Sequence, residues 1–276
     1  MTLKETLLKQ SIIELHWALQ VVASVGPTYL PAQRNNNHTA LFWDARRWII
    51  SPNIKPNRSF EVALDIAKLQ LHFLGPTSGQ PQGKPSSSFS LQGRTLKSAY
   101  EWLEGELEEY LNHNFEHVKR LPELPWDLPP NPINRGSIFS YQESVFQQCE
   151  QYLKMADAQL NYLRQQYHSN AGPILLWPQN FALSTLVREA DREIEVGFRF
   201  VDKGVAKPHF FIQSTQVPAQ KPALNHGEWQ DQCIVLPIKA VEVEELHAQS
   251  PKMAAFLAEN MHYLLSLPHQ SNDFFK

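Results

Sequence analysis

The residue pattern with the most direct chemical meaning is "HNFEH", His113 to His117, which fits H-x-x-E-H. In inverted zinc proteases two histidines one helical turn apart bind the metal and the glutamate activates water. Here the pattern sits at the end of a helix, four residues before a proline-rich stretch, with no well-placed carboxylate helix downstream. A polar helix end with solvated His and Glu accounts for the same residues. His113 and His117 therefore stand as candidate ligands only, and no metal or cofactor is assigned.

Two further sets could do chemistry. His72 and His209 each precede a phenylalanine in a strand-like segment, His72-Phe73 and His209-Phe210. They read as acid/base or ligand groups, or as hydrogen-bonded histidines beside core rings. The stretch "LFWDARRWIISPN", Leu41 to Asn53, gathers Trp43, Arg46, Arg47 and Trp48. With Trp177 and Arg188 from later in the chain, these residues could hold an anion beside stacking rings, or the tryptophans could be packing residues. Trp126 and Asp127 in "LPWDLPP" offer an aromatic and an acid on a rigid loop. Cys149 and Cys233 are far apart with no CxxC, which excludes a cysteine-built zinc site. No phosphate-binding glycine loop, G-x-S-x-G elbow, dinucleotide fingerprint or EF-hand loop is present.

The elements that must position these groups follow from hydrophobic spacing. Leu8, Ile12, Leu15, Leu19 and Val22 recur at three- and four-residue steps and predict a helix over residues 3–25, stopped by Gly26-Pro27. "SFEVALDI", Ser59 to Ile66, alternates as a strand, and residues 68–74 continue it as another. "GPTSGQPQGKPSSS" reads as a loop and "FSLQG" as a short strand; a helix then places Leu96, Leu103, Leu107 and Leu111 on one side. Residues 121–136 hold prolines that forbid helix or central strand, and read as a linker. A long helix follows, with Ser140 and Glu143 as its capping box and "NAGP" as its stop.

The segment Leu41 to Ile66 aligns without a gap to Leu175 to Phe200. Trp43 meets Trp177, Arg58 meets Arg192, Glu61 meets Glu195 and Val62 meets Val196. Each copy runs through a Trp-bearing strand, an alternating strand, a His-Phe strand and a fourth short strand, "QCIVLPI" in the second. It closes with a helix, the last spanning roughly Lys252 to Leu267 after Ser250-Pro251. The expectation is an α+β protein made by internal duplication of an α-β-β-β-β-α unit, with antiparallel meanders covered by helices. The expected parts are residues 1–120, a linker at 121–136, and residues 137–276.

At 276 residues, 42% hydrophobic and 11% aromatic, the chain has the makings of a packed core without a disulfide or metal staple. Net charge is −3, and no segment gathers Lys and Arg into a dense patch, which argues against nucleic acid as a partner. No apolar run reaches membrane-span length, and "MTLKETLLKQ" lacks the basic head and apolar middle of a signal peptide. A soluble, cytoplasmic protein with no membrane partner is expected.

The order of motifs resembles an uncharacterised bacterial family, domain of unknown function 5996. The similar segments are "DARRWIISPNI" (Asp44 to Ile54), "SFEVALDI", "LPWDLPP" (Leu124 to Pro130) and "AGPILLWPQNFALS" (Ala171 to Ser184). The family's His-Phe-Phe-Trp-Gly becomes Leu175-Leu176-Trp177-Pro178 preceded by Ile174, and its basic "TRFSGR" element is replaced by Leu186-Val187-Arg188. The resemblance implies a fold and no reaction. The preferred reading is a small, anionic ligand held between two duplicated lobes by Arg46, Arg47, Trp48, His72, Trp177, Arg188 and His209. A hydrolase or metal-dependent enzyme using the histidines, and a protein-interaction module docking through the proline-rich segment, are the alternatives.

Overall fold

The computed structural model describes residues 3–44, 48–52, 60–75, 85–112, 119–122, 124–189, 192–200, 207–218, 220–238 and 243–267. The chain is α+β, with two antiparallel sheets, and its contacts divide it into two units. The first comprises Met1–Tyr152 with Leu175–Phe181, the second Leu153–Ile174 with Ala182–Lys276. The division runs through the long helix α4, Glu143–Tyr167, and not through the proline-rich segment. That segment is no linker: it belongs to the first unit, with Leu121 and Ile133 buried and one 3-10 turn at Pro132–Arg135.

In the first unit β1 (Phe42–Trp43), β2 (Trp48–Ile50), β3 (Glu61–Asp65), β4 (Gln70–Leu74) and β5 (Ser87–Ser90) form a meander in chain order. The tryptophan-bearing stretch from Leu41 thus supplies two paired strands, not one. Asp44 closes it twice: its N–H donates to the Trp48 carbonyl and its carboxylate accepts from the Trp48 N–H. Alternation puts Val62, Leu64, Leu71 and Phe73 on one face and Ala63, Asp65 and His72 on the other. Helices α1 (Leu3–Ala23) and α3 (Leu96–Asn112) pack on this sheet and each other, with Phe73 against Tyr110 and Phe89 against Trp102. Thr95 and Ser98 start α3 reciprocally, each side chain accepting from the other's backbone N–H.

In the second unit β7 (Ala182–Glu189), β8 (Arg192–Arg199), β9 (His209–Ser214), β10 (Glu228–Gln230) and β11 (Cys233–Pro237) take the order β10-β11-β9-β8-β7. The expected meander runs on through "QCIVLPI", which is β11 and pairs with the His-Phe strand β9, and β10 is a further strand that the sequence reading lacks. Ile234, Val235 and Leu236 of β11 are buried and pair with Phe210 to Ile212 of β9, while polar β10 takes the outer edge. Helix α5 (Val243–Ser266) packs on β9 and β11, begins earlier than expected, and carries Pro251 in its interior. The short strand β6, Leu175–Trp177, falls in the first unit, where Leu176 and Leu41 exchange both backbone hydrogen bonds.

The two sheets share a register at one hairpin. Ile49 faces Leu64 and Ile50 faces Ala63 in β2–β3; Leu183 faces Phe198 and Ser184 faces Gly197 in β7–β8, the same offset in all four strands. One strand further the offset changes. Ala63 pairs with His72, but its counterpart Gly197 pairs with Phe211, and His209 lies opposite Arg199. His72 and His209 therefore do not occupy matching places.

Candidate functional site

The proline-rich segment is bound to the first unit by its indoles. Trp17 of α1 donates its indole N–H to the Pro129 carbonyl at 3.0 Å, and Trp126 donates to the Gln20 side-chain oxygen at 2.8 Å. Gln20, itself buried, spends its amide group on the His16 and Pro178 carbonyls at 2.7 and 3.1 Å. His16 donates from Nε2 to the same Pro178 oxygen at 2.7 Å, and burial lowers its pKa to about 4. A fixed polar chain, His16 to Gln20 to Trp126, thus holds the segment on α1 as a strap. Farther along, the Leu121 N–H donates to Glu104 of α3.

Between α1, α3 and this strap lies a groove of about 610 Å³. Its walls carry Trp17, Tyr100 and Trp126 as aromatic surface, with Lys97, Glu101 and Arg120 at the mouth. Lys97 pairs with Glu101 at 3.4 Å, both exposed. Arg120 is exposed and makes no ion pair or hydrogen bond with any described residue. Volume and aromatic lining match the usual build of a small-molecule site, and Gln20, Lys97, Glu101, Glu104, Arg120 and Asn134 give its lining polar groups and charges of both signs.

A second cluster stands on the other face of the same sheet. His72 is 5% exposed; its Nδ1 lies 2.7 Å from Ser88 Oγ of β5, while Trp48 stacks on the ring at 4.5 Å and 25°. Its Nε2 has no hydrogen-bond partner and lies 4.0 Å from the Asp65 carboxylate, an ion-pair distance and no hydrogen bond. Burial works against the charge of Asp65. Even so, His72 and the Lys68 ammonium and backbone N–H hold its pKa down to about 2.

Of the residues singled out by sequence, the structure brings Trp48 and His72 together. Trp177 is partly buried in β6 and Trp43 in β1. Arg188 makes an exposed cross-strand ion pair with Glu193 at 2.7 Å in the second unit. His209, 1% exposed, is tied by Nδ1 to the Lys207 carbonyl. Arg46, Arg47, His113 and His117 lie outside the described residues. Among the described residues no group of three or more His, Cys, Asp or Glu could hold a metal ion. Cys149 is buried and its thiol pKa is pushed far up by desolvation.

Sequence reasoning missed Ser88, Asp65, Gln20 and Arg120. Ser88 ends a stretch whose glycine, proline and serine content reads as a loop, and Asp65 reads as the polar side of a strand. The one available signal was Trp126, a large ring among prolines, where a rigid segment meets a partner surface.

Fold and groove together describe a two-unit α+β protein with an aromatic-lined groove in its first unit. No protein-family model matches the chain, and neither does any curated protein or solved structure. No helix among the described residues is long and apolar enough to cross a membrane.

Proposed function

We propose that the protein is a binding protein that takes a small ligand with a flat apolar body and an anionic group into the groove of its first unit. The observation that carries this reading is the pair of indoles at Trp17 and Trp126, fixed by hydrogen bonds, beside the exposed Arg120. Fixed rings bind a flat body with little loss of side-chain freedom, and a guanidinium at the mouth selects a carboxylate or phosphate end. The ligand reading made from sequence moves accordingly, from Arg46, Arg47 and Arg188 to Arg120.

Isothermal titration calorimetry with indole-3-acetate and with neutral indole tests it. Saturable binding of the acid, weakened about tenfold in Arg120→Ala while neutral indole is unaffected, is the expected result. Equal binding of acid and neutral ring by both proteins would remove the anion from the proposal, and no saturable binding would remove the site. The shared register of β2–β3 and β7–β8 also supports descent of the two sheets from one duplicated unit. The likeness to domain of unknown function 5996 stands as a proposal of kinship that adds no activity.

A further inference from the structure

The cluster on the opposite face of the first sheet has no part in the groove, and three of its features belong together. Ser88 is exposed on β5, the last strand in the sheet order, so its hydroxyl can be reached from solvent. It is hydrogen-bonded at 2.7 Å to Nδ1 of a histidine that is otherwise buried. That histidine's other nitrogen is unpartnered and faces the carboxylate of Asp65 at 4.0 Å. An orphaned buried ring nitrogen is unfavourable unless something uses it. A nucleophile, a base and a third group that orients the base make up the general pattern of an activated hydroxyl.

We propose that Ser88 is an activated nucleophile that accepts the acyl group of a carboxylic ester, with His72 as its base and Asp65 as a positioning residue. With the imidazole hydrogen on Nε2, toward Asp65, Nδ1 is free to accept the Ser88 proton. Ser88 Oγ then bonds to the ester carbonyl carbon while its proton passes to Nδ1. The bond between the carbonyl carbon and the alkoxy oxygen breaks, and the leaving oxygen takes the proton from Nδ1 as an alcohol. Water repeats the sequence on the acyl-serine, yielding a carboxylic acid and restoring the Ser88 hydroxyl. The imidazolium formed in each half is favoured by the Asp65 charge, which its low pKa keeps in place, and by the stacked indole of Trp48. The order of ring nitrogens is the reverse of the serine-protease arrangement, in which Nε2 meets the serine.

The test uses the full-length chain with p-nitrophenyl acetate as substrate and an alkyl fluorophosphonate as label, its attachment site located by peptide mass spectrometry. Labelling at Ser88 is expected, and Ser88→Ala, an exposed change that leaves the sheet intact, should lose both label and acetate hydrolysis. Asp65→Asn keeps an acceptor for the Lys68 N–H, so the turn survives; labelling should fall at least about tenfold, with partial recovery in Asp65→Glu. His72→Gln should lower labelling by about a hundredfold. An unlabelled Ser88 in the folded wild-type chain would overturn the proposal, as would hydrolysis by Ser88→Ala at the wild-type rate or labelling indifferent to His72→Gln. Indole-3-acetate binding in the groove is a separate readout, so either reading can fail alone.

Discussion

At the scale of single residues, buried groups decide how stability answers to pH. His16 is 6% exposed and its pKa is lowered from 6.5 to about 4, so the folded chain holds it neutral while the unfolded chain protonates it. The stability associated with the neutral form is complete above pH 6.5 and declines as pH falls toward 4, by about 3 kcal/mol. Urea unfolding at pH 7 and pH 4.5 should show that loss, and His16→Gln, which keeps a donor for Pro178, should abolish most of it. Asp65 acts in a lower window: its folded pKa of about 2 lies below the usual 3.8, so its contribution of about 2 kcal/mol is present above pH 4 and lost as pH falls to 2. Arg192, buried at 3% exposure, donates to the carbonyls of Leu264, Leu265 and Leu267 at the end of α5. Replacing it with methionine strands those carbonyls and should cost about 2–4 kcal/mol in urea unfolding. The sequence alignment had paired Arg192 with Arg58 without showing this role, because the acceptors lie some seventy residues away.

Among the elements, periodicity was legible and terminators were not. The apolar positions read along α1 and α3 are buried except Leu96, which lines the groove. Gly26 and Pro27, read as a stop, lie inside the short helix α2, Val25–Tyr29, where proline is tolerated in the first turn. Glycine is required there for another reason: a Cβ would stand 1.9 Å from the His38 carbonyl oxygen. Gly26→Ala should therefore destabilise by about 2 kcal/mol or more, seen as a lowered Tm. Gly172 likewise does not stop α4, which ends at Tyr167 before His168 at φ 44°; its backbone instead bonds to Leu186 and Thr185. The expected capping box fails because Ser140 turns to Glu14 of α1, donating from both N–H and hydroxyl. Local spacing carries the period of a helix, but an end is settled by whichever distant group reaches it first.

For the whole molecule, the alternating strands and long helices made the α+β class readable from sequence, whereas the division into units was not. Prolines mark a chain that cannot continue a helix, and this property is shared by a linker and by a strap packed on a surface. Here Leu121, Trp126 and Ile133 make it a strap. A fragment ending at residue 120 should accordingly fail to fold, while a chain carrying Met1–Phe181 contains everything the first unit uses. Circular dichroism and cooperative urea unfolding of the two fragments distinguish these outcomes. The candidate site was legible only in Trp126, Trp48 and His72, since Gln20, Ser88 and Asp65 acquire meaning through partners that no local pattern reveals.

The return of Leu175–Phe181 to the first unit also bears on biosynthesis. Leu176 pairs with Leu41, and Pro178 receives both His16 and Gln20. A growing chain cannot satisfy those groups until Pro178 has been made, about 8 to 32 s after Gln20 at 5–20 residues per second. Throughout that interval α1 has its buried polar side chains in place but not their acceptor. The first unit is therefore first in sequence but does not close before α4 has been synthesised.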